Sequence, residues 1–340
     1  MSAPVAGQAF SPLDKQLVLR DLHWSEGVAR QVVRLSGRMT YAEVVETLQE
    51  VGQIHVSKSS GWRLSQHWGA QLQGQALPET DQPGAEAVER LSTSLDGAMV
   101  YVLSEGWKEL KAGTVSEVVA ELELDPQTLE EEPLARARNT SYVAVLGGPE
   151  AIGQRIWQEA VRRGWPQVPE TQIVADGAEW IWNLAGDYFY DSTQVVDWYH
   201  ATAHLANAAQ LLYPQEEGVR QRWLNEHKTI LFQGHADRVV QHLQKKAETA
   251  PPAAAELLQR EARYFETHKH RMYYLDFRNE GWLIGSGTVE SAAKQYKHRF
   301  TGPGMRWSRT GLENLIPVRS LVLSHAFPRA WKSLYFTPTN

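Results

Sequence analysis

The chain predicts a mixed α/β protein with helices before, within and after the sheet. Two observations carry this. Short runs rich in β-branched and aromatic residues recur between 91 and 196, first as alternating strands and then as strands interleaved with helical pattern. Apolar residues at helical spacing dominate 25–68 and again 201–275. A length of 340 residues suits a sizeable core spread over two or three domains.

The elements follow in order. Residues 25–35 read as a helix that stops at Gly37. Thr40 with Glu43 three residues on is a capping box, opening a helix over Tyr41 to Val51. After a short turn around Gly52 to Val56, Ser57 caps a third helix through Trp62, Leu64 and Trp68. Three short helices with a tight turn before the last fit a helix-turn-helix module as well as a plain bundle. In a helix-turn-helix, Lys58 and Arg63 lie on or near the third helix. Residues 76–90 read as a linker, with Pro78, Pro83 and Gly84. Leu91 to Leu103 reads as two strands, or one long bent strand, interrupted at Asp96-Gly97. Trp107 to Val115 alternates like a strand, and an acidic loop is expected after it. Ser141 to Leu146 is strand-like, Pro149 to Arg163 an amphipathic helix, and Gln172 to Ala175 and Gln194 to Val196 short strands. Further helices are expected over 289–299 and Leu312 to Leu323.

Composition narrows the chemistry. There are no cysteines, which excludes disulfides and thiolate zinc sites. The sequence has no apolar run of membrane-spanning length and no signal-type N-terminus, so a cytoplasmic protein with no membrane partner is expected. The net charge of −6 argues mildly against a polyanion partner. Its distribution argues the other way: from Ser291 to Asn340 eight Lys and Arg face one acid, Glu313. A local field, rather than total charge, steers a polyanion. A solvated basic helix face is the plainer reading of the same residues.

Three acids stand out. Asp96 and Asp176 are each expected to end a short apolar strand, and each precedes a glycine. Glu290 opens an otherwise basic helix after Gly285-Ser286-Gly287-Thr288. Carboxylates at strand ends can reach a cleft while the sheet holds their backbone. Three of them, without cysteine or paired-histidine spacing, suit Mg²⁺ or Mn²⁺. An Asp-Gly pair is also the commonest of turns, and periodicity alone does not separate these readings.

The surrounding words separate them. Asp96-Gly with Trp107-Lys-Glu-Leu-Lys, Val174-Ala-Asp176-Gly-Ala-Glu-Trp-Ile-Trp182, Val196-Asp197-Trp-Tyr-His200, Ile284-Gly-Ser-Gly-Thr-Val-Glu290-Ser and Gly304-Met-Arg-Trp-Ser308 occur in that order. This resembles the DDE transposases of bacterial insertion sequences, the Kra-type group related to the Mutator-like superfamily, over roughly residues 90 to 325. The resemblance implies a ribonuclease-H-like core with a helical insertion before the last acid. The implied division is a helical DNA-binding region over 1–75, the 76–90 linker, a first core part over 91–200, an all-helical insertion over 201–280, and core completion over 281–340.

By that resemblance Asp96, Asp176 and Glu290 are the catalytic acids and hold two Mg²⁺ or Mn²⁺ ions. The implied reaction is in-line phosphoryl transfer at element ends, then strand transfer into target DNA. Asp197-Trp-Tyr-His200 matches the superfamily's Asp-x-x-His signature, and Asp197 is a rival for the second ligand. His200 is expected either to touch a phosphate or to serve a cap. Lys294, Lys297, Arg299 and Arg306 are expected on DNA, and Trp223 either stacks on a displaced base or packs in the core. The implied partners are terminal repeats and target DNA, with a homodimer or larger assembly at the bacterial nucleoid. A hydrolytic ribonuclease-H-like nuclease or resolvase, or a non-catalytic DNA-binding derivative, are the competing readings.

Overall fold

The structure, a computed structural model, describes residues 24–73, 88–124 and 131–336. The 76–90 linker expectation falls largely outside these residues. The described chain forms two compact units.

One unit gathers residues up to Pro78 with Tyr101–Gly106 and the segment from His298 onward. Its first helices are α1 (Glu26–Ser36), α2 (Tyr41–Gly52) and α3 (Lys58–Leu72). The caps are those the local sequence dictates. Ser25 accepts from the Val28 amide, the Thr40/Glu43 capping box is complete, and Ser57 accepts from the Ser60 amide. These helices share a core with the C-terminal helices described below, in which Trp68 lies 4.8 Å from Trp331 and 5.2 Å from Tyr335 by ring centroids.

The other unit is built on a five-stranded sheet in the order β3-β2-β1-β4-β5. The strands β1 (Arg90–Val102), β2 (Gly106–Leu124) and β3 (Glu131–Val145) come first. The three residues between β1 and β2 allow only an antiparallel hairpin, and β2 pairs antiparallel with β3. Two expectations are corrected here. Asp96 does not end a strand, because β1 runs through it without a break. The acidic stretch after Val115 is not a loop where it is described. It continues β2, and across the ladder Arg136 and Arg138 pair with Glu121 and Glu123 on exposed positions. Charges that read as a loop are thus the solvated face of a long hairpin.

Helix α4 (Pro149–Arg162) leads to β4 (Glu170–Ala175), α5 (Glu179–Tyr188) and β5 (Thr193–Val196). β4 lies parallel to both β1 and β5. The sheet is therefore mixed, an arrangement compatible with a ribonuclease-H-like fold. Helices α6 (Trp198–Leu212), α7 (Glu217–Phe232), α8 (Ala236–Thr249), α9 (Pro252–His268) and α10 (Tyr274–Asn279) follow, then α11 (Gly287–Phe300). Buried Leu205, Leu231, Leu243, Leu258 and Phe265 from these helices join Leu91, Leu95, Ile173 and Val195 of the strands in one apolar core. Helices α12 (Arg309–Leu323) and α13 (Phe327–Phe336) end the described chain. No helix among the described residues is long and apolar enough to cross a membrane.

Candidate functional site

Strand register brings the aspartates into one row. The last registered pairs of the two parallel ladders are Leu95 with Ala175 and Ala175 with Val196. The next residue on each strand is Asp96, Asp176 and Asp197. Carboxyl ends of parallel strands are where α/β sheets hold ligands.

Each carboxylate has a distinct local task. Asp96 Oδ1 accepts from the Gly97 amide at 2.6 Å. Asp176 Oδ1 accepts from the Ala178 amide at 2.9 Å, closing an Asx turn before α5. Asp197 is fully buried and is the N-cap of α6. Its Oδ1 accepts from the His200 amide at 2.7 Å and faces His200 Nδ1 at 3.1 Å. Its Oδ2 accepts from the Ser286 hydroxyl at 2.7 Å and from the Ser286 amide. With four donors on two oxygens, Asp197 has little lone-pair capacity left for a cation. It holds His200 and, across 89 residues of sequence, the segment that leads into Glu290.

Glu290 stands in the first turn of α11. His200 Nδ1 lies 4.0 Å from its Oε1, and Lys294 leans back to its Oε2 at 3.4 Å. Ligand atoms of Asp197, His200 and Glu290 all lie within 4.8 Å of one another, a spacing that could hold a metal ion if Asp197 gave up one of its hydrogen bonds. Asp96 and Asp176 are outside that tight group and act on it through space. Burial, with the charges of Asp176 and Glu290, raises the Asp96 carboxyl above its ordinary value. Burial would raise Asp197 as well, but the bonds from His200 and Ser286 outweigh it and hold its carboxyl low. The hydrogen bond to Asp197 raises His200, and the charges of Asp197, Asp176 and Glu290 add to it.

The expected nucleic-acid contacts divide. Lys58, Arg63, Lys294, Lys297 and Arg306 are exposed. Arg299 is not: it is 2% exposed, and its Nε donates to Ser36 O at 2.7 Å. Its guanidinium also lies 5.2 Å from the Trp307 ring. The Arg299 cation serves the carbonyl end of α1, where the helix dipole favours it, and is not presented to DNA. Trp223 is 8% exposed and stacked on His227 at 3.7 Å, which makes it core and not a free platform for a base. Trp307 is likewise buried. Ser286 escaped the residue-by-residue reading, although it sits inside the Gly-Ser-Gly-Thr word. A hydroxyl between two glycines reads as a turn until its distant partner is known.

No family model matches the chain, and no curated protein matches it. Among solved structures it is similar to the Drosophila P element transposase strand transfer complex. The sequence identity is 11% and the TM-score 0.32, with 96% of this chain and 86% of that chain covered. A likeness of that degree bears on neither fold nor chemistry.

Proposed function

We propose that the chain is a DDE transposase of the kind found in bacterial insertion sequences, cleaving DNA at element ends and joining them to target DNA. The observation that carries the proposal is the row of Asp96 and Asp176, each the residue directly after the last registered pair of β1 and β4. Under this reading the sheet is a ribonuclease-H-like core, 201–280 is its helical insertion, and the Glu290 helix completes it. Helices α1 to α3 form a helix-turn-helix-like DNA-binding region.

The donor set fits Mg²⁺ or Mn²⁺. Asp96, Asp176 and Glu290 offer hard oxygens, and a partly buried group of like charges is costly until a cation joins it. These three residues would hold two ions, which when bound activate the attacking oxygen and stabilise the leaving one. The chain's own residues do the rest. Asp197 keeps His200 oriented, and His200 would hold or release a proton at a phosphate oxygen. Lys294 now neutralises Glu290 and, with Lys297 three residues on, turns to the DNA backbone once a cation takes that role. Lys58 and Arg63 on α3, and Arg306, supply phosphate contacts. Two ends must be brought together, so the working form is a dimer or larger, acting at the bacterial nucleoid.

The test is a strand-transfer assay on DNA bearing the element's ends with a pre-cut 3′-hydroxyl, in Mg²⁺ or Mn²⁺. Joining is expected, and Asp96→Asn, Asp176→Asn or Glu290→Gln should each slow it by roughly 100- to 1,000-fold. Hydrolysis without joining would mark a nuclease or resolvase instead. DNA binding with no metal-dependent turnover would mark a non-catalytic derivative.

A further inference from the structure

Helix α9 and the 3-10 turn after it, Lys269–Arg271, face the loop that carries Asp176. Gly177 has no room for a side chain. A Cβ there would lie 2.3 Å from Tyr264 Cε2 and 3.2 Å from His268 Nε2. Both rings come from one face of α9, four residues apart. Tyr264 cannot retreat, because His204 of α6 stacks on it at 3.6 Å with planes 19° apart. His204 is held in turn by Nδ1 at 2.5 Å from Glu261, a carboxylate only 2% exposed.

His268 has a defined direction. Arg271 Nη1 lies 3.2 Å from His268 Nδ1, and a guanidinium can only donate. The ring proton is therefore assigned to Nε2, the nitrogen nearest Gly177. The ring hydrogen-bonds the Gly177 backbone, and with Nε2 as donor the acceptor is the carbonyl. Arg271 is itself fixed, donating Nε to Gln194 Oε1 at 2.8 Å and lying 4.1 Å from the Trp182 ring. Burial and the Arg271 charge push His268 down to about 4, so the ring stays neutral.

We infer that Tyr264 and His268 are positioning residues: they clamp the Asp176-Gly177 loop, so that helix α9 sets the affinity of the carboxylate site for a divalent cation. The inference rests on the proposed reading that Asp176 is a ligand. It explains why a helical segment so long in sequence places two aromatic rings on the one residue beside that acid. It also explains why the neighbour of Asp176 is a glycine.

The test measures Mn²⁺ binding to the full chain without DNA, by calorimetry, alongside thermal melting. Wild type should bind and Asp176→Asn should lose that binding. His268→Leu removes the donor and should weaken Mn²⁺ about tenfold or more. His268→Gln, whose amide reaches for the same carbonyl, should recover most of it. Gly177→Ala should lose binding to a similar degree. Adding Tyr264→Ala should restore the part that the clash costs, because the missing ring makes room for the new Cβ while His268 still holds the carbonyl. A merely structural role would lower the melting temperature without these two recoveries. If His268→Leu and Gly177→Ala fold and bind Mn²⁺ as wild type does, while Asp176→Asn does not, the clamp is wrong and the ligand reading stands. If Asp176→Asn binds as wild type does, the ligand reading falls and the clamp with it. Should His268→Leu fail to fold, His268→Gln and the Gly177/Tyr264 pair decide by the same comparison.

Discussion

Both oxygens of Asp197 are committed before any ligand arrives. Removing them strands the buried Ser286 amide and frees His200, so Asp197→Ala should cost about 3 kcal/mol in urea unfolding. Asp197 is held low, so its contribution is present above the ordinary carboxylate range and is lost as pH falls through the lowered value. His200 is held high. Its contribution is complete below the ordinary imidazole range and is lost as pH rises through the raised value. The pair therefore favours the fold most between those limits. An NMR titration of the metal-free protein should place His200 above an ordinary histidine, and Asp197→Asn should bring it down. The Asp-x-x-His word was visible in the sequence, and so was its capping alternative. The Ser286 latch was not, because its partner lies 89 residues away. The burial of Arg299 is hidden for the same reason: a charge next to basic neighbours looks exposed until Ser36 and Trp307 close around it.

Among the elements, glycines test the packing. Gly69 in α3 sits against the backbone of α12. A Cβ there would lie 2.1 Å from Asn314 O, which cannot rotate away. Gly69→Ala should destabilise by about 2 kcal/mol. Gly186 in α5 meets nothing within 4 Å and is exposed, so Gly186→Ala should stabilise by roughly 0.5–1 kcal/mol. Thermal melts of the two variants should move in opposite directions. Two helix starts were legible, since Thr40 and Ser57 cap through contacts only three residues long. The β2-β3 hairpin was legible only in part. Its outer half is charged on the solvated face, and the Arg136 and Arg138 pairs that belong to it form only when the strands meet. Exposed pairs of this kind add little stability, so they leave a pattern of charge and no strong strand signal.

For the whole molecule, one compact unit is assembled from three separate stretches of chain, with helices before and after the sheet in sequence. Trp68 and Leu72 of α3 are buried in company with Trp331 and Tyr335. Residues 1–78 expressed alone should therefore melt without cooperativity by circular dichroism, despite their good helix caps. A sharp transition would show that the three helices need no C-terminal partner. Caps, periodicity and the placing of acids after apolar runs were determined locally, because the interactions behind them span a few residues. The strand register that sets Asp96, Asp176 and Asp197 side by side, the Ser286 latch and the rings on Gly177 were decided only in the folded chain. Each joins residues tens of positions apart, and no local pattern records which distant residue will be there.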